Sequence, residues 1–397
     1  ASPGAIIAIA GIAVSFIVML LSIAVMMGFK HDIKAKLMGF DSQIMVYPPS
    51  SPVTGGTPAE ITLSDTLSGI IESTLPGSRL TLTVTRPVIF KTTDDFQGMI
   101  LRGLANEDEG RFIRDNLTAG TLPDFTPDSA GTQVVIPSIM ANKLSLGVGD
   151  KVHAYFINGD NVKVRRMSVT GIYDTHFSDY DKIYAYGSLP LTQGIGGIDS
   201  TGASSVELTS RNPSEITTSG IMLQDAMMTS AYLRKLTGAY TLTTVLDTAM
   251  MYFNWLELLD TNVIVILVLM SAVSGFTLIS CLFILILERV KMIGILKALG
   301  ASNKEIRRIF IYLAQRVVIL GLIAGNIAGL LFILAQYHWH FLPLDAEAYY
   351  LNYVPVKINW IYIISLNCAV FFLSWLIIIL PSQMIAKIKP CKSIRYE

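Results

Sequence analysis

Cysteine, charge and the common catalytic motifs are all scarce in this sequence. Its 397 residues include only three cysteines, Cys281, Cys368 and Cys391, so no disulfide can brace residues 30–257. There is no GxxxxGK[ST] phosphate loop, no HExxH and no GxSxG, and the five histidines lack the spacing of metal ligands. We therefore expect a non-catalytic chain with no metal and no cofactor of its own.

Charged residues are absent from four long windows. The sequence is 15% charged and 52% apolar, and residues 5–27, 262–287, 317–337 and 360–380 contain no charge. Each window has at least the roughly 20 residues that a helix needs to cross about 30 Å of hydrocarbon. The windows predict a polytopic α-helical membrane protein with four transmembrane helices in a 1+3 arrangement, with a large domain between the first two.

The remaining cations indicate the orientation of these helices. Residues 288–316 carry seven Lys or Arg and the residues after Leu380 carry four, whereas 338–359 carry only Lys357. By the positive-inside rule, the first two segments are cytoplasmic and residues 30–257 lie outside. The predicted domains are transmembrane helix 1 (1–29), stalks plus an extracytoplasmic α+β domain (30–257), transmembrane helix 2 (258–287), a cytoplasmic elbow (288–316), transmembrane helix 3 (317–337), an outer loop (338–359), transmembrane helix 4 (360–380) and a cytoplasmic tail (381–397).

The outer domain shows strand patterns with some helices. The stretch RLTLTVTRPVIF, residues 79–90, alternates as a half-buried strand does, and residues 152–169 read as a hairpin that turns tightly at Asn158–Asn161. Residues 104–116 and 137–146 favour helix, and residues 221–240 favour a helix whose Met-rich face packs on the sheet. These patterns predict an α+β fold.

Two stalks are expected to connect the domain to the membrane. Phe29, Ile33, Leu37 and Phe40 continue a helical apolar spacing beyond the first span, until the breakers Pro48, Pro49, Pro52, Gly55 and Gly56. On the other side, an apolar pattern from Leu242 to Leu256 has no Pro or Gly and predicts a helix that leads into the second span.

The stretch ERVKMIGILKALGASNKEIRRIF, residues 288–310, predicts two amphipathic helices. Ile293, Leu296 and Leu299 are expected to share an apolar face, and Gly300 is expected to end the first helix. Ser302 and Glu305 have the spacing of a capping box that starts the second helix. A capped elbow with its own apolar face indicates docking on a partner; a helix lying on lipid headgroups is the alternative.

Small and polar residues in the spans predict close helix packing. Gly321, Gly325 and Gly329 form GxxxGxxxG in the third span, and Asn326 and Asn367 can form hydrogen bonds between helices. The glycines are compatible with packing inside one subunit or with a dimer seam.

Residues 288–310 closely resemble the cytoplasmic stretch of the MacB/FtsX/LolC-LolE family of ABC transporter permeases. Three further stretches resemble that family: VMMGFKHDIKAKLMGF, LSLGVGDKV and PSQMIAKIKPCKSIRYE. Within it, the GFK stalk, the YYLNYVPV loop and the closing RYE are most similar to the lipoprotein-releasing permeases LolC and LolE. The resemblance implies a multi-pass protein of the bacterial inner membrane with its large domain in the periplasm.

The resemblance also implies partners for this chain. It implies a second permease subunit, identical or paralogous, and two copies of a LolD-like ATPase that bind ATP and Mg²⁺. The substrate would be an acylated lipoprotein that is passed to a periplasmic LolA-like carrier, and no nucleic acid is expected. The elbow would be the coupling helix on the ATPase, with contacts from Glu288, Arg289, Lys291, Met292, Gly294, Ile295, Leu296, Lys297 and Gly300.

Release of an acylated substrate needs an apolar cavity. An acyl chain of roughly 15 carbons resists extraction by on the order of 12 kcal/mol. Flexible, uncharged side chains of the first and second spans are the expected lining: Met19, Met26, Met27, Leu259, Val263 and Ile266.

The alternatives to lipoprotein release are a MacB-like exporter with an adaptor and an FtsX-like module that controls a cell-wall hydrolase. In LolC-type subunits a long hairpin loop of the outer domain binds the carrier. The tight turn at Asn158–Asn161 differs from that loop.

Overall fold

A computed structural model describes residues 3–49, 60–125, 132–158, 161–210, 215–236 and 238–382. The chain forms two compact units. We call Ala1–Asp32, Asn254–Pro343 and Tyr353–Glu397 the helical unit, and Ile33–Phe253 with Leu344–Asn352 the sheet unit. The predicted breakers Pro52, Gly55 and Gly56, and the tail from residue 383, lie outside the described residues.

The helices and strands follow in chain order. The helices are α1 Pro3–Phe40, α2 Asp65–Thr74, α3 Arg111–Asp115, α4 Ser138–Leu144, α5 Ser178–Asp181, α6 Leu189–Gly196, α7 Ile216–Tyr232, α8 Val245–Thr248, α9 Met250–Glu288, α10 Val290–Ala298, α11 Asn303–Trp339, α12 Ala346–Tyr349 and α13 Trp360–Ser382. The strands are β1 Ile44–Tyr47, β2 Ile61–Thr62, β3 Arg79–Thr83, β4 Thr85–Lys91, β5 Phe96–Leu104, β6 Leu117–Gly120, β7 Gln133–Pro137, β8 Lys151–Asn158, β9 Asn161–Tyr173, β10 Tyr184–Ser188, β11 Gly202–Ala203, β12 Ser205–Thr209 and β13 Thr241–Thr244.

Within the described residues, four helices are long and apolar enough to cross a membrane. They run over Gly4–Phe40, Met250–Glu288, Asn303–Trp339 and Trp360–Ile379. The first three contain their charge-free windows, and the fourth covers its window except for residue 380. The prediction of four transmembrane helices therefore has a structural counterpart for each window. Because α1 continues without interruption to Phe40, the predicted helical extension of the first span is confirmed.

Glycines set the packing of α11 on α1. A Cβ added to Gly321 would lie 2.8 Å from Ile12 Cγ2, and one added to Gly329 would lie 2.8 Å from Leu20 Cδ2. Such short distances leave room only for the hydrogen atom that glycine has in place of a Cβ. The glycines therefore allow the two helices to approach closely. Of the two possibilities for GxxxGxxxG, the structure shows packing inside one subunit.

A pair of amides joins α11 to α13. Asn326 Nδ2 donates to Asn367 Oδ1 at 2.7 Å, and Asn367 Nδ2 donates to Asn326 Oδ1 at 3.2 Å. The predicted hydrogen bonding between helices is confirmed for this pair, which satisfies two polar side chains inside an apolar unit.

The sheet unit contains a closed ring of six strands. Neighbouring strands pair in the order β9-β7-β10-β5-β4-β8, and β8 pairs again with β9 from Lys151↔Ser168 to Asn158↔Asn161. Alternate residues such as Val88 and Phe90 on β4, or Met167 and Val169 on β9, are buried in one apolar cluster. This period of two places one face of each strand in the core. The predicted hairpin is confirmed, although Gly159 and Asp160 lie outside the described residues.

The stretch predicted as one strand over residues 79–90 is two strands in different sheets. β3 belongs to a four-stranded sheet ordered β13-β1-β12-β3, whereas β4 belongs to the ring. Val84 between them is fully buried. Apolar residues alternate in the same way before and after Val84, so the sequence pattern does not show the change of sheet.

Three further predictions for this domain are wrong in detail. Residues 104–110 are not helical, because Leu104 ends β5 and α3 begins at Arg111. Leu242 lies in β13, and the long helix begins at Met250 after the short α8. On α7, Met227 is buried, but Met222 and Met228 are exposed, so this helix has no Met-rich packing face. For Leu242, the pairing of β13 with β1 overrides the local helical pattern.

Part of the predicted outer loop 338–359 belongs to the sheet unit. Tyr350 Oη donates to Asp179 Oδ2 at 2.9 Å, and Lys36 Nζ donates to the carbonyl oxygens of Tyr350 and Thr175 at 2.7 and 2.5 Å. These bonds fix the segment Leu344–Asn352 to the end of α1 inside that unit.

Candidate functional site: a capped cationic elbow

The elbow consists of α10 and the first turns of α11. At the end of α10, Gly300 N donates to Lys297 O at 3.1 Å and Ala301 N donates to Leu296 O at 2.9 Å. These two bonds form a Schellman motif, which needs a left-handed residue after the helix. Gly300 supplies it with φ +95°. The prediction that Gly300 ends the helix is confirmed.

A capping box starts α11 two residues later. Glu305 N donates to Ser302 Oγ at 3.3 Å, and Ser302 N donates to Glu305 Oε2 at 2.8 Å. The two bonds satisfy backbone groups that a helix start leaves free. The predicted capping box is confirmed, and both ends of the turn between the helices have a defined hydrogen-bond geometry.

One face of α10 packs on its own chain. Ile293 is fully buried, and it shares an apolar cluster with Leu285 of α9 and with Ile306 and Phe310 of α11. Gly294 beside it is also buried. Because this face packs with residues of α9 and α11, α10 has a fixed position against the ends of these two helices.

The opposite face of α10 is apolar and exposed. Ile295 is 54% exposed and Leu299 is 79% exposed, and Lys291 is exposed one turn earlier. The spacing of four residues places these side chains on one stripe. We call Lys291, Ile295, Ala298 and Leu299 the outward stripe.

The prediction that Ile293, Leu296 and Leu299 share one face is wrong. Six residues of a helix with 3.6 residues per turn rotate a side chain to about 120° from its starting direction. Ile293 is therefore buried while Leu299 is exposed, and Leu296 lies between them and is half-buried. The prediction placed Ile293 of the buried face and Leu299 of the outward stripe on the same face.

Exposed cations outnumber exposed acids in residues 288–316. The exposed basic residues of this region are Arg289, Lys291, Lys304, Arg307, Arg308 and Arg316. The exposed acids of the same stretch are Glu288 and Glu305. An exposed apolar stripe on a segment with an excess of positive charge is complementary to an acidic groove with an apolar floor.

The structure separates the nine predicted coupling residues by exposure. Glu288, Arg289, Lys291, Ile295 and Gly300 are exposed, Met292, Leu296 and Lys297 are half-buried, and Gly294 is buried. Ala298 and Leu299 were not among the nine, although both are exposed. The repeat Lys291, Ile295, Leu299 at four-residue spacing is the signal that could have found Leu299.

The six predicted cavity residues do not share one environment. Met19 is only 1% exposed and packs inside the helical unit, where Ser271 Oγ donates to its Sδ at 3.7 Å. The other five are half-buried: Met26, Met27, Leu259, Val263 and Ile266.

The chain matches two family models that together cover most of its length. The MacB-like periplasmic core domain matches residues 5–219, and the FtsX-like permease C-terminal region matches residues 264–390.

Curated relatives match over nearly the whole chain. The lipoprotein-releasing system transmembrane protein LolC of Neisseria meningitidis is 21% identical over 98% of this chain and 94% of its own length. The LolC protein of Xylella fastidiosa is 20% identical over 98% of this chain and 93% of its own length. The LolE protein of Haemophilus influenzae is 25% identical over 34% of this chain and 35% of its own length.

Solved structures with some similarity cover about half of this chain. The extracellular domain of the transporter YknZ from Gram-positive bacteria has a TM-score of 0.34 at 15% identity, and covers 51% of this chain and 99% of that domain. The periplasmic region of MacB from Actinobacillus actinomycetemcomitans has a TM-score of 0.35 at 12% identity, and covers 54% of this chain and 92% of that region. The family models extend further, and since one of them matches residues 5–219 of 397, the chain belongs to the family of proteins with a MacB-like periplasmic core domain.

Proposed function

We propose that this chain is the permease subunit of an ABC transporter that releases acylated lipoproteins from the bacterial inner membrane. The names of the LolC and LolE relatives support this function, and the LolC match extends over 98% of the chain. The FtsX-like permease match supports the transporter class. The permease itself is non-catalytic, and ATP and Mg²⁺ bind to the partner ATPase.

The exposure of the outward stripe is the observation that supports the proposal most strongly. Its inward neighbour Ile293 is fully buried, so α10 is already held by its own chain. The exposed Ile295 and Leu299 are therefore not needed for folding, and their removal from water needs a partner. Two ATPase subunits of the LolD type, one for each permease of a pair, would bind these stripes.

The proposed topology follows from the cations. The elbow and the tail face the cytoplasm, and residues 30–257 with the loop 338–359 face the periplasm. The protein would thus be a multi-pass inner-membrane protein with one helix before the periplasmic domain and three after it, within the domain boundaries predicted above.

An exposed apolar face of α9 is the proposed contact surface for a second permease subunit. On α9 the exposed apolar side chains include Ile264, Val265, Val268, Leu269 and Phe276. Lipid or a second permease, identical or paralogous, can cover such a face. The half-buried side chains Met26, Met27, Leu259, Val263 and Ile266 would line the passage for acyl chains between the two subunits. The fully packed Met19 would support this lining from within.

The energy for release would come from the ATPase. An acyl chain of roughly 15 carbons needs on the order of 12 kcal/mol to leave the bilayer. A periplasmic LolA-like carrier would accept the lipoprotein. Strands β8 and β9 pair as far as Asn158↔Asn161, so their hairpin has no long loop that could bind the carrier.

Aspartate substitutions in the outward stripe test the proposal. Ile295→Asp and Leu299→Asp should each lower the amount of ATPase that co-purifies in mild detergent by at least about tenfold, because a carboxylate would enter an apolar contact. The matched control is Met228→Asp on α7, where the side chain is 63% exposed. The same variants should stop lipoprotein release from spheroplasts, and unchanged recovery of the ATPase with both stripe variants would contradict the proposal.

A further inference from the structure

A cleft of about 530 Å³ lies in the helical unit at one end of the spans. It is formed by α1 near Gly28, by the C-terminal turns of α11 and by the segment Tyr353–Ile358. We call it the interfacial cleft. It is separate from the elbow and shares no residue with the outward stripe.

The walls of the interfacial cleft are held by hydrogen bonds. Gln336, only 1% exposed, donates through Nε2 to Val354 O at 2.9 Å and accepts at Oε1 from Leu342 N at 3.1 Å. Lys357 N donates to Ala24 O at 3.0 Å, which fixes the segment to α1. A largely preformed shape is typical of a ligand site.

Glycine at position 28 permits this arrangement. A Cβ at Gly28 would lie 2.4 Å from Pro355 O, so any side chain here would push the segment away from α1. The cleft therefore depends on a backbone-to-helix contact that only glycine allows.

Aromatic residues place the cleft at the membrane surface. Tyr337 and Trp339 at the end of α11, and Trp360 at the start of α13, are exposed large side chains. Tyr and Trp concentrate where the hydrocarbon meets the headgroups. The apolar part of the lining, including Leu334 and Val356, would accordingly face acyl chains, and the polar part would face headgroups.

The polar lining carries groups of both signs. Lys357, His340 and the hydroxyl of Tyr353 can donate to a phosphate, and the rings of His340 and Tyr353 are 3.9 Å apart between centroids. Asp32 adds a carboxylate, and the C-terminal carbonyl end of α11 adds partial negative charge. This combination is complementary to a headgroup with one phosphodiester and one ammonium group.

We propose that the interfacial cleft binds a membrane glycerophospholipid with the headgroup chemistry of phosphatidylethanolamine. Lys357 and His340 bind the phosphate, Asp32 and the end of α11 bind the ammonium group, and the apolar lining contacts the first part of the acyl chains. The bound lipid fills the space between α1, α11 and the segment Tyr353–Ile358 and keeps this end of the helical unit in contact with the bilayer.

Lipid titration of the full-length protein in detergent tests the site. Native mass spectrometry should show phosphatidylethanolamine binding about tenfold tighter than diacylglycerol with the same chains, because only the former brings the charged headgroup. Lys357→Gln should remove most of this difference. Asp32→Asn should lower the affinity for phosphatidylethanolamine to that for phosphatidylcholine, whose methylated ammonium donates no hydrogen bond.

The matched control is His338→Asn, two residues before His340 and not in the lining. For His340 itself, His340→Asn is the suitable variant, because asparagine tolerates the left-handed φ of +45° at this position.

A crosslinking measurement remains informative if a variant does not fold. A photoreactive group replacing Tyr353 in vesicles of equal parts phosphatidylethanolamine and phosphatidylcholine should capture an excess of phosphatidylethanolamine, whereas the same group at His338 should capture both lipids equally. Equal capture at Tyr353 would overturn the proposal. Tight binding of phosphoethanolamine without acyl chains would also overturn it, because the ligand would then be a soluble molecule.

Discussion

Arg102 Nη2 lies 2.6 Å from Glu207 Oε2 and joins the six-stranded ring to the four-stranded sheet. Both side chains are largely buried. Arg102 also donates through Nη1 to the carbonyl oxygen of Phe40, the last residue of α1. Burial lowers the pKa of Arg102, but Glu207 and, to a smaller extent, Tyr186, Asp41 and Tyr184 together raise it by more, so the guanidinium stays charged. One side chain thus connects the end of α1 to both sheets.

Loss of Arg102 should destabilise the sheet unit strongly. Arg102→Met leaves the Glu207 carboxylate buried without its partner, which costs about 3–5 kcal/mol in comparable cases. Hydrogen exchange of the amides in β5 and β12, measured on the full protein, should show a corresponding drop in protection. Arg111→Met is the control, since Arg111 forms an exposed pair with Asp115 at 3.8 Å that is worth less than about 1 kcal/mol. Equal protection in the Arg102 and Arg111 variants would contradict this role.

Asp181 should give the sheet unit an unusual dependence on pH. Burial raises its pKa from 3.8 to about 6, although hydrogen bonds from Thr175 N and Oγ1 lower it. The folded state therefore binds a proton more tightly than the unfolded state, and this residue destabilises the fold above pH 6 by on the order of 3 kcal/mol.

The contribution of Asp181 to stability should accordingly rise as the pH falls from about 7 towards 4. Asp181→Asn keeps an acceptor for Thr175 and should remove this part of the pH dependence. Hydrogen exchange near Thr175, corrected for the intrinsic exchange rate at each pH, gives the opening free energy. The same slope in the wild type and the variant would show that Asp181 is already ionised in the fold.

The helix contact at Gly321 should tolerate no side chain. Gly321→Ala places a Cβ 2.8 Å from Ile12 Cγ2 and 3.3 Å from Ile9 O. We expect a loss of about 1–3 kcal/mol from overpacking, despite the better helix propensity of alanine. The four tryptophans, Trp255, Trp339, Trp360 and Trp375, all belong to the helical unit, so their fluorescence during heating reports on this contact. Gly69→Ala, where the added Cβ meets no atom within 4 Å, should leave that transition unchanged.

Local signals in the sequence predicted the helical unit well. Four charge-free windows identify the long helices by length alone, and the turn at Gly300 and Ser302 is encoded by residues within a few positions of one another. A helix end and a capping box depend only on nearby backbone groups, so the elbow was predictable.

The sheet unit depends on contacts between distant residues, which no local pattern reports. Arg102 and Glu207 are 105 residues apart, and the alternation through Val84 continues across a change of sheet. The ring closes through β4–β8 and β8–β9, and only the second of these pairings joins neighbours in sequence. The exposure of Leu299 beside the burial of Ile293 follows from helix geometry, because six residues rotate a side chain to about 120° from its starting direction.

Crosslinking at the elbow shows whether the outward stripe binds the ATPase. A photoreactive amino acid at Ile295 should form a crosslink to the ATPase subunit in cells, and one at the buried Ile293 should form none. The crosslink at Ile295 should depend on Leu299, so that Leu299→Asp abolishes it. An ATPase that is never captured from Ile295, or capture of phospholipid alone, would contradict the assignment of the outward stripe as the site where the transporter receives force.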